Sequence, residues 1–303
     1  PLVADLWRSL GIGKAGVERF TAKWNGWTFA GDAWRCWEIR GSFHKTRHGG
    51  TNWQDFTFSQ LLESVATLCN AFDLRPDSLR LMNLEVGGVN IVPPIPTAEV
   101  LESIVLHRTQ ARVPMRTGSG IEIIHKDYRF KIYDKSRQYG LPGQLLRFEI
   151  AVKKMRTLER YGLRTVADLL DPLIWHRLAA FLLAKFHELL IVELAPPPDG
   201  LRPAQADLWR NATVPDYWIT MEKQRRGELR NELQKLYDRH VQHPLKTTLG
   251  ASIALKLAEL MDHPGQDLCT NGTTRTALDG SRTFAPRVEV NGEPAQVISG
   301  QVP

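Results

Sequence analysis

The sequence predicts an α+β fold, in which an antiparallel-rich sheet carries helices on one face and a mostly helical C-terminal region follows. Three features of the 303 residues predict this class. Segments in the first half alternate apolar and polar residues, which is typical of half-buried strands. Two segments with helical apolar spacing separate those strands. From residue 157 onward, helical spacing prevails.

The first predicted strand and the first predicted helix lie near the start of the chain. Residues 35–42 alternate in the manner of a strand, and a loop rich in basic residues follows them. Residues 59–72 place apolar side chains at helical spacing, so they predict a helix. Thr57, with Gln60 three residues later, is typical of a capping box at the start of that helix.

The other predicted strands follow within the next eighty or so residues. Residues 79–92 predict a strand that two glycines interrupt at residues 87–88, as glycines do at a β-bulge. A second helix is predicted over residues 97–108. Two strands joined by a tight turn at residues 126–127 come next. Residues 145–153 predict the last clear strand.

Beyond that strand the apolar spacing stays helical, apart from a Pro-rich linker at residues 195–203. A later helical segment carries a basic stripe from Lys223 to Arg230, which would either dock on DNA phosphates or form an ordinary hydrated helix face. An Asn-Gly pair within residues 288–297 predicts a hairpin. The predicted regions are a sheet domain over 1–156, a helical region over 157–263, and a flexible or hairpin tail over 264–303.

Composition and charge indicate the class of partner and the cellular compartment. The net charge of +6 favours an anionic partner such as nucleic acid. Three widely spaced cysteines form no metal-binding or disulfide pattern, so we expect reduced thiols in a reducing, cytoplasmic compartment. Charged and histidine side chains interrupt the most apolar run, so we expect a buried or two-sided soluble helix there and no membrane partner.

Alternation distinguishes the tyrosines of the segment YRFKIYDKSRQYG, residues 128–140. Tyr128 falls on the apolar face of its strand, whereas Tyr133 falls on the opposite face together with Arg129 and Lys131. We therefore expect Tyr128 to pack in the core. Tyr133 is the candidate for chemistry.

The same alternation gathers carboxylates on that polar face. Glu85, Glu149 and Glu38 are expected there, on a face exposed to solvent. Carboxylates on neighbouring strands repel one another unless a cation lies between them. A divalent metal ion would serve, and arginine or lysine side chains are the alternative.

Four segments together resemble the gene II-type replication initiators of filamentous phages. LLRFEIAVKKMRTLERYGLRTVADLLD resembles that family's RFE strand, and FKIYDK resembles its tyrosine-bearing strand and the IRIYDK strand of Rep_trans-type plasmid initiators. MNLEVGGVNI corresponds to an acidic strand, and WEIRGSFHKTRHGGTNWQDF to a strand with a Gly- and Asn-containing loop. The resemblance covers residues 37–171.

The resemblance implies a nicking domain related to the HUH endonucleases. A tyrosine would attack one DNA strand at an origin, leaving a 5′-phosphotyrosine and a 3′-OH that primes rolling-circle replication, and would later rejoin the strand. A Mg²⁺ or Mn²⁺ ion would stabilise the charge on the phosphate. The implied partners are single-stranded or hairpin origin DNA and a host helicase, in the cytoplasm of a bacterial host.

The resemblance assigns roles to the catalytic residues and to two metal ligands, and further residues are candidates beside them. The implied catalytic residues are Tyr133, Lys135 and Lys153. The implied metal ligands are Glu85 and Glu149, with His44 and His48 as candidate histidine ligands that no motif places. The expected DNA contacts are Arg129, Lys131, Lys45, Arg47 and Arg147.

Two departures from the family pattern leave alternatives open. The chain has no His-x-His motif, and the position that bears the tyrosine in the plasmid type is occupied by Ile123–Ile124 here. Tyr128 and Tyr139 therefore stay in competition with Tyr133. A non-catalytic nucleic-acid-binding regulator and a hydrolytic, metal-dependent nuclease are the alternative functions.

Overall fold

The computed structural model describes residues 20–32, 36–261 and 289–290, which fall into two compact units. The first unit contains the described residues up to Leu79 together with residues 289–290. The second unit begins at Arg80 and contains the rest. The predicted boundary after residue 156 lies within the second unit, because the helices beyond it pack on the same sheet.

The first unit has one antiparallel sheet and two short-to-medium helices. Its strands, numbered in chain order, are β1 (Phe20–Trp24), β2 (Trp27–Gly31), β3 (Cys36–Arg40) and β12 (Glu289–Val290), in the order β12-β1-β2-β3. Its helices are α1 (Phe43–Arg47) and α2 (Phe58–Ala71), followed by a 3-10 turn at Pro76–Ser78. The prediction that β3 joins the sheet of Tyr133 is wrong, because β3 pairs with β2.

Helix α2 begins where the sequence predicts, and the predicted capping box is confirmed. Thr57 Oγ1 accepts a hydrogen bond from the Gln60 backbone N–H at 3.3 Å, and Gln60 Oε1 accepts one from the Thr57 N–H at 3.1 Å. The inner face of α2 contributes to an aromatic core in which Phe72 lies 4.9 Å from Trp24 and 4.8 Å from Phe29, measured between ring centroids.

The second unit has two antiparallel sheets and most of the helices. Its strands are β4 (Leu84–Ile91), β5 (Ile104–His107), β6 (Gln110–Ala111), β7 (Val113–Pro114), β8 (Gly120–Ile124), β9 (Tyr128–Asp134), β10 (Leu146–Val152) and β11 (Leu189–Ile191). Its helices are α3 (Thr97–Ser103), α4 (Lys135–Tyr139), α5 (Arg156–Glu159), α6 (Pro172–His187), α7 (Pro203–Asn211), α8 (Pro215–Ile219), α9 (Lys223–His240) and α10 (Leu245–Leu260), with a 3-10 turn at Ala167–Leu170.

The larger sheet of this unit has the order β4-β10-β9-β8-β7, and the smaller has the order β11-β5-β6. Every neighbouring pair in both sheets is antiparallel. The α+β class, with antiparallel sheets and a helical C-terminal region, is therefore confirmed. The tight turn predicted at residues 126–127 is confirmed as well, since it joins β8 to β9.

The predicted β-bulge lies in β4. Gly87 pairs with Glu149 and Val89 pairs with Phe148, so Gly88 is the extra residue. An extra residue reverses the alternation beyond it. Glu85 and Asn90, which differ in parity, therefore lie on the same polar face of the sheet.

The apolar face of the larger sheet carries the helices. Phe148 of β10 lies 5.7 Å from Phe186 of α6 and 6.5 Å from Phe130 of β9, measured between ring centroids. Helix α10 packs on β4 beside α6. A second apolar cluster, built by α7, α8 and α9, packs against β5 and the segment after β11.

Two short strands replace parts of predicted helices. The helix predicted over residues 97–108 ends at Ser103, because Ile104 and Val105 begin a fully buried strand that pairs with β11. Strand β11 itself follows α6 directly, within the apolar run expected to be helical. Apolar runs of this length suit a buried strand as well as a helix, so spacing alone does not separate them.

Two further predictions concern the ends of the chain and the membrane. The hairpin predicted over residues 288–297 lies outside the described residues except for Glu289–Val290, which pair with β1. Among the helices that the structure describes, none is long and apolar enough to cross a bilayer.

Candidate functional site

Four residues lie side by side across the polar face of the larger sheet. Tyr133 on β9 is directly opposite Arg147 on β10, and Arg147 is directly opposite Asn90 on β4. On the other side of Tyr133, its partner on β8 is Gly120. We call Asn90, Arg147, Tyr133 and Gly120 the tyrosine row.

A second row, one step along the strands, contains the acidic residue nearest to the tyrosine. Glu149 is directly opposite Lys131. Tyr133 Oη donates a hydrogen bond to Glu149 Oε2 at 2.9 Å, and Lys131 Nζ lies 2.9 Å from Glu149 Oε1. Lys131 Nζ also lies 2.5 Å from Glu85 Oε1. One continuous polar network therefore joins Tyr133, Glu149, Lys131 and Glu85.

The expectation that this polar face is exposed is wrong for its centre. Tyr133 and Glu149 are each 5% exposed, and Arg147 is 1% exposed. The side chain of Glu85, at the other end of the network, is 59% exposed. Buried charges are costly unless they are paired, which explains why these polar side chains contact one another so closely.

The environment of Tyr133 opposes ionisation of its hydroxyl. Burial raises the pKa of the Tyr133 hydroxyl well above its ordinary value, and the Glu149 carboxylate raises it further. The guanidinium of Arg147 acts in the opposite direction and lowers this pKa. Tyr133 is therefore held as a neutral phenol whose proton points at a carboxylate.

Lys131 takes the position between the two carboxylates that the resemblance assigns to a metal ion. Burial lowers the pKa of Lys131, but Glu149 and Glu85 outweigh burial and raise the pKa above its ordinary value. Within the described ranges, no group of three His, Cys, Asp or Glu side chains is arranged to hold a metal ion. Glu85 and Glu149 thus fit a bridging ammonium group, the alternative the sequence left open.

Lys135 lies beside the tyrosine. It is the first residue of α4, and its side chain is buried. Its Nζ lies 5.3 Å from the centre of the Tyr133 ring and 4.6 Å from that of Tyr139, and it donates to Gln138 Oε1 at 2.8 Å. Lys135 therefore places a second positive charge next to Tyr133.

Arg147 is held rigidly but is not fully satisfied. Its Nε donates a hydrogen bond to Asn90 Oδ1 at 2.7 Å. Its Nη2 is buried and has no hydrogen-bond partner in the part of the chain that the structure describes. Leaving a buried polar group unsatisfied costs about 1–3 kcal/mol, and more for a charged group. Most buried polar groups in proteins have a hydrogen-bond partner, so this donor is an exception.

Gly120 makes room for Tyr133. A Cβ atom added at residue 120 would overlap Tyr133 Cβ and the Ile132 carbonyl oxygen. The sheet therefore accepts no side chain directly opposite the tyrosine on β8. This close approach requires glycine at the end of the tyrosine row.

The competing tyrosines are placed differently. Tyr128 lies on the apolar face of the sheet, where its ring stacks on His125 with centroids 4.6 Å apart. Burial raises the pKa of the Tyr128 hydroxyl to about 12. Tyr139 lies in α4 against Lys135. Neither placement matches that of Tyr133, which lies on the polar face and is hydrogen-bonded to Glu149.

Two other residues assigned to the site lie apart from Tyr133. Lys153 follows the end of β10 and is exposed, about 20 Å along the strand from Arg147 at roughly 3.3 Å per residue. The structure therefore does not place Lys153 beside the tyrosine. Arg129 shares the polar face but forms an ion pair with Glu122 at 3.2 Å.

The remaining assigned residues belong to the first unit. His44 and Lys45 are in α1, and His48 caps it. The rings of His44 and His48 lie 5.1 Å apart, and Arg47 pairs with Glu63 at 2.8 Å. Lys45 is exposed.

Sequence reasoning missed Asn90 and Gly120, and it did not identify Lys131 as the lysine that lies between the two glutamates. The reversal of alternation after the bulge was the signal for Asn90, since it moves residue 90 to the polar face. Gly120 begins a strand, where glycine often marks a close approach. Lys131 and Glu149 become neighbours only through the register of β9 and β10, which no local pattern encodes.

A scan against protein-family models, a search of curated proteins and a search of solved structures each found no match for this chain.

Proposed function

We propose that this protein nicks and rejoins one strand of DNA through Tyr133, as an initiator of rolling-circle replication. The observation that carries the proposal is the hydrogen bond from Tyr133 Oη to Glu149 Oε2. A phenol is a weak nucleophile at neutral pH and needs a base to take its proton. A carboxylate in hydrogen-bond contact with the hydroxyl meets the geometric requirement for that base.

The proposed reaction is a transesterification. Glu149 accepts the proton of Tyr133, and the phenolic oxygen forms a bond to the phosphorus of a phosphodiester. The bond from phosphorus to the 3′ oxygen breaks, and the 3′ oxygen takes the proton from Glu149. The products are a 5′-phosphotyrosine and a free 3′-OH. The reverse of these steps rejoins the strand.

Positive charge near Tyr133 supports the proposal. Phosphoryl transfer places negative charge on the phosphate oxygens, and cations at fixed positions stabilise it. Lys135 lies over the Tyr133 ring, and Arg147 occupies the neighbouring position in the tyrosine row. The net charge of +6 favours DNA as partner. A host helicase is suggested by the resemblance alone.

A divalent metal ion is part of the proposal only as a prediction from the resemblance. Glu85 and Glu149 are the residues that would contact Mg²⁺ or Mn²⁺, and both already bind Lys131. A metal ion would have to displace Lys131 and recruit further ligands. No step of the reaction above is therefore assigned to a metal ion.

The test is covalent capture of DNA by the protein. Labelled single-stranded DNA is incubated with the full chain, with Mn²⁺ or with EDTA, and the products are separated on a denaturing gel. We expect an adduct that Tyr133→Phe abolishes and Tyr128→Phe retains. An adduct lost in Tyr128→Phe but kept in Tyr133→Phe would move the reaction to the other tyrosine.

The same gel separates the alternative functions. Strand cleavage without an adduct, dependent on Mn²⁺, would identify a hydrolytic nuclease. Binding without cleavage or adduct would identify a regulator. Formation of the adduct in EDTA would show that Lys131 and the other fixed cations are sufficient.

A further inference from the structure

The guanidinium of Arg147 is buried and is held in place through Nε. It lies at the centre of the tyrosine row, with its Nε fixed by Asn90 Oδ1 at 2.7 Å. Arg147 is 1% exposed, and its Nη2 has no hydrogen-bond partner among the described residues. Arginine offers a planar fork of donors that matches phosphate. Nε of this group is hydrogen-bonded to Asn90, and Nη2 remains available as a donor.

No carboxylate in the described part of the chain neutralises Arg147. The nearest acidic side chain along β10 is Glu149, and its two oxygens bind Tyr133 and Lys131. Arg147 forms no ion pair with the described residues. A buried cation without a direct ion-pair partner is a costly arrangement unless an anion binds there at some stage.

Glycine keeps the space beside the guanidinium free of a side chain. A Cβ added at Gly88 would lie 3.8 Å from Arg147 Cζ and Nη1, so Gly88 leaves this side of the guanidinium without a side chain. Gly88 is the extra residue of the bulge. The bulge therefore both brings Asn90 to the polar face and leaves backbone alone beside Arg147.

We propose that Arg147 binds a non-bridging oxygen of a phosphate group through Nη2 and so positions the phosphorus beside Tyr133 Oη. This inference rests on the proposed function and names the group that recognises its substrate. It assigns the substrate contact to a residue in the row of the tyrosine, whereas Lys131 is held by Glu85 and Glu149. The attraction of Arg147 for the Tyr133 phenolate, which lowers the pKa of that hydroxyl, is a second contribution.

The experiment uses the full chain with Arg147→Gln, Arg147→Lys and the control Arg156→Gln. Arg156 is an arginine with no assigned role, and its charge is paired with Asp127 at 2.8 Å. Binding of inorganic phosphate is measured by titration calorimetry, independently of any reaction with DNA. We expect Arg147→Gln to weaken phosphate binding about tenfold or more, as expected when a charged hydrogen bond is lost. Arg156→Gln should bind phosphate as wild type does.

The adduct assay is run on the same proteins. Removal of one donor to a developing oxyanion lowers the rate about 10²–10³-fold, and we expect this for Arg147→Gln. Added guanidinium should partly restore the rate in an Arg147→Ala variant. Arg147→Lys keeps the charge without the fork, so it serves if the other variants fail to fold, and it should bind phosphate more weakly than wild type.

The outcomes separate the two proposals. Phosphate binding by Arg147→Gln equal to that of wild type, or no phosphate binding by wild type, would overturn the role of Arg147. A wild-type rate of adduct formation in Arg147→Gln would overturn it too, while the nicking function would stand. Phosphate binding that depends on Arg147, without any adduct in wild type, would support the anion site and refute the nicking function.

Discussion

Tyr133 Oη donates a hydrogen bond to Glu149 Oε2 at 2.9 Å, and both side chains are almost wholly buried. Register produces this contact, since the two residues occupy adjacent rows on neighbouring antiparallel strands. Burial favours the neutral phenol, and it also strengthens every electrostatic interaction around it. The phenolic proton of Tyr133 therefore lies between the hydroxyl that would act as nucleophile and the carboxylate that would accept the proton.

Replacing Glu149 by glutamine removes the proposed proton acceptor. We expect the rate of adduct formation to fall by about 10²–10⁴, the usual contribution of a general base. Because the Glu149 charge is one cause of the raised pKa of Tyr133, that pKa should fall toward its ordinary value. Single-turnover rates and absorbance titration of the phenol measure the two effects.

Glu122→Gln is the matched control for Glu149→Gln. Glu122 lies on the same face and pairs with Arg129, not with the tyrosine. Its replacement should leave both the rate and the titration of Tyr133 unchanged. A Glu149→Gln protein that forms the adduct at the wild-type rate would contradict the role of Glu149 as base.

Lys131→Met tests the bridge between the two glutamates. Loss of Lys131 leaves the buried Glu149 carboxylate without its cation, so we expect the free energy of unfolding to fall by about 3 kcal/mol. Glu85→Gln should cost less than about 1 kcal/mol, because the Glu85 side chain is 59% exposed. Urea denaturation of the three proteins compares them. If both variants lost the same free energy of unfolding, burial would not determine how much each charge contributes to stability.

Gly120→Ala tests the close approach of β8 to Tyr133. The added methyl group would overlap Tyr133 Cβ and the Ile132 carbonyl, so we expect a loss of about 2 kcal/mol or more and impaired adduct formation. Gly227→Ala is the control, since an added Cβ there meets nothing and alanine favours the helix. A Gly120→Ala protein as stable and active as wild type would refute the close approach.

We expect His107 to make the protein less stable in acid. Burial, together with the neighbouring His125, Lys185 and Arg108, lowers the pKa of His107 to about 3 against the opposing effect of Glu188. The folded state thus disfavours the protonated imidazole. The neutral His107 side chain therefore stabilises the folded state. This contribution is complete above the unfolded pKa near 6.5 and is lost as the pH falls toward 3.

The expected loss is about 2 kcal/mol between pH 7 and pH 5, since one pKa unit corresponds to about 1.4 kcal/mol. His107→Gln removes the titrating group and should flatten this part of the pH dependence. Its Nδ1 contact with His125 at 2.9 Å is also lost, so the variant should be less stable at pH 7. Unfolding free energies at several pH values measure both effects, and parallel curves for the two proteins would exclude His107 as the source.

Alternation was sufficient to place each tyrosine on the correct face. Tyr128 is in the core and Tyr133 is on the polar face, because the two positions differ in parity along one unbroken strand. Alternation assigns a face but not its exposure. The burial of Tyr133, Glu149 and Arg147 depends on how the rest of the chain packs. The alternation of residues along a strand does not encode that packing.

Longer-range features could be predicted less well. The capping box at Thr57 depends on residues three apart, and it was found from the sequence. The end of α3 at Ser103 depends on pairing with β11, which lies more than eighty residues away. Likewise, β3 has the alternation of a strand but joins a different sheet, since the choice of partner is made by tertiary packing.

The most direct test of the account is to identify the tyrosine that becomes linked to DNA. Trypsin would place the three tyrosines on separate peptides, residues 127–129, 132–135 and 138–147. After adduct formation and nuclease trimming, mass spectrometry locates the nucleotide. We expect it on Tyr133, in the peptide 132–135. A nucleotide on either of the other two peptides, or on none, would contradict the central claim.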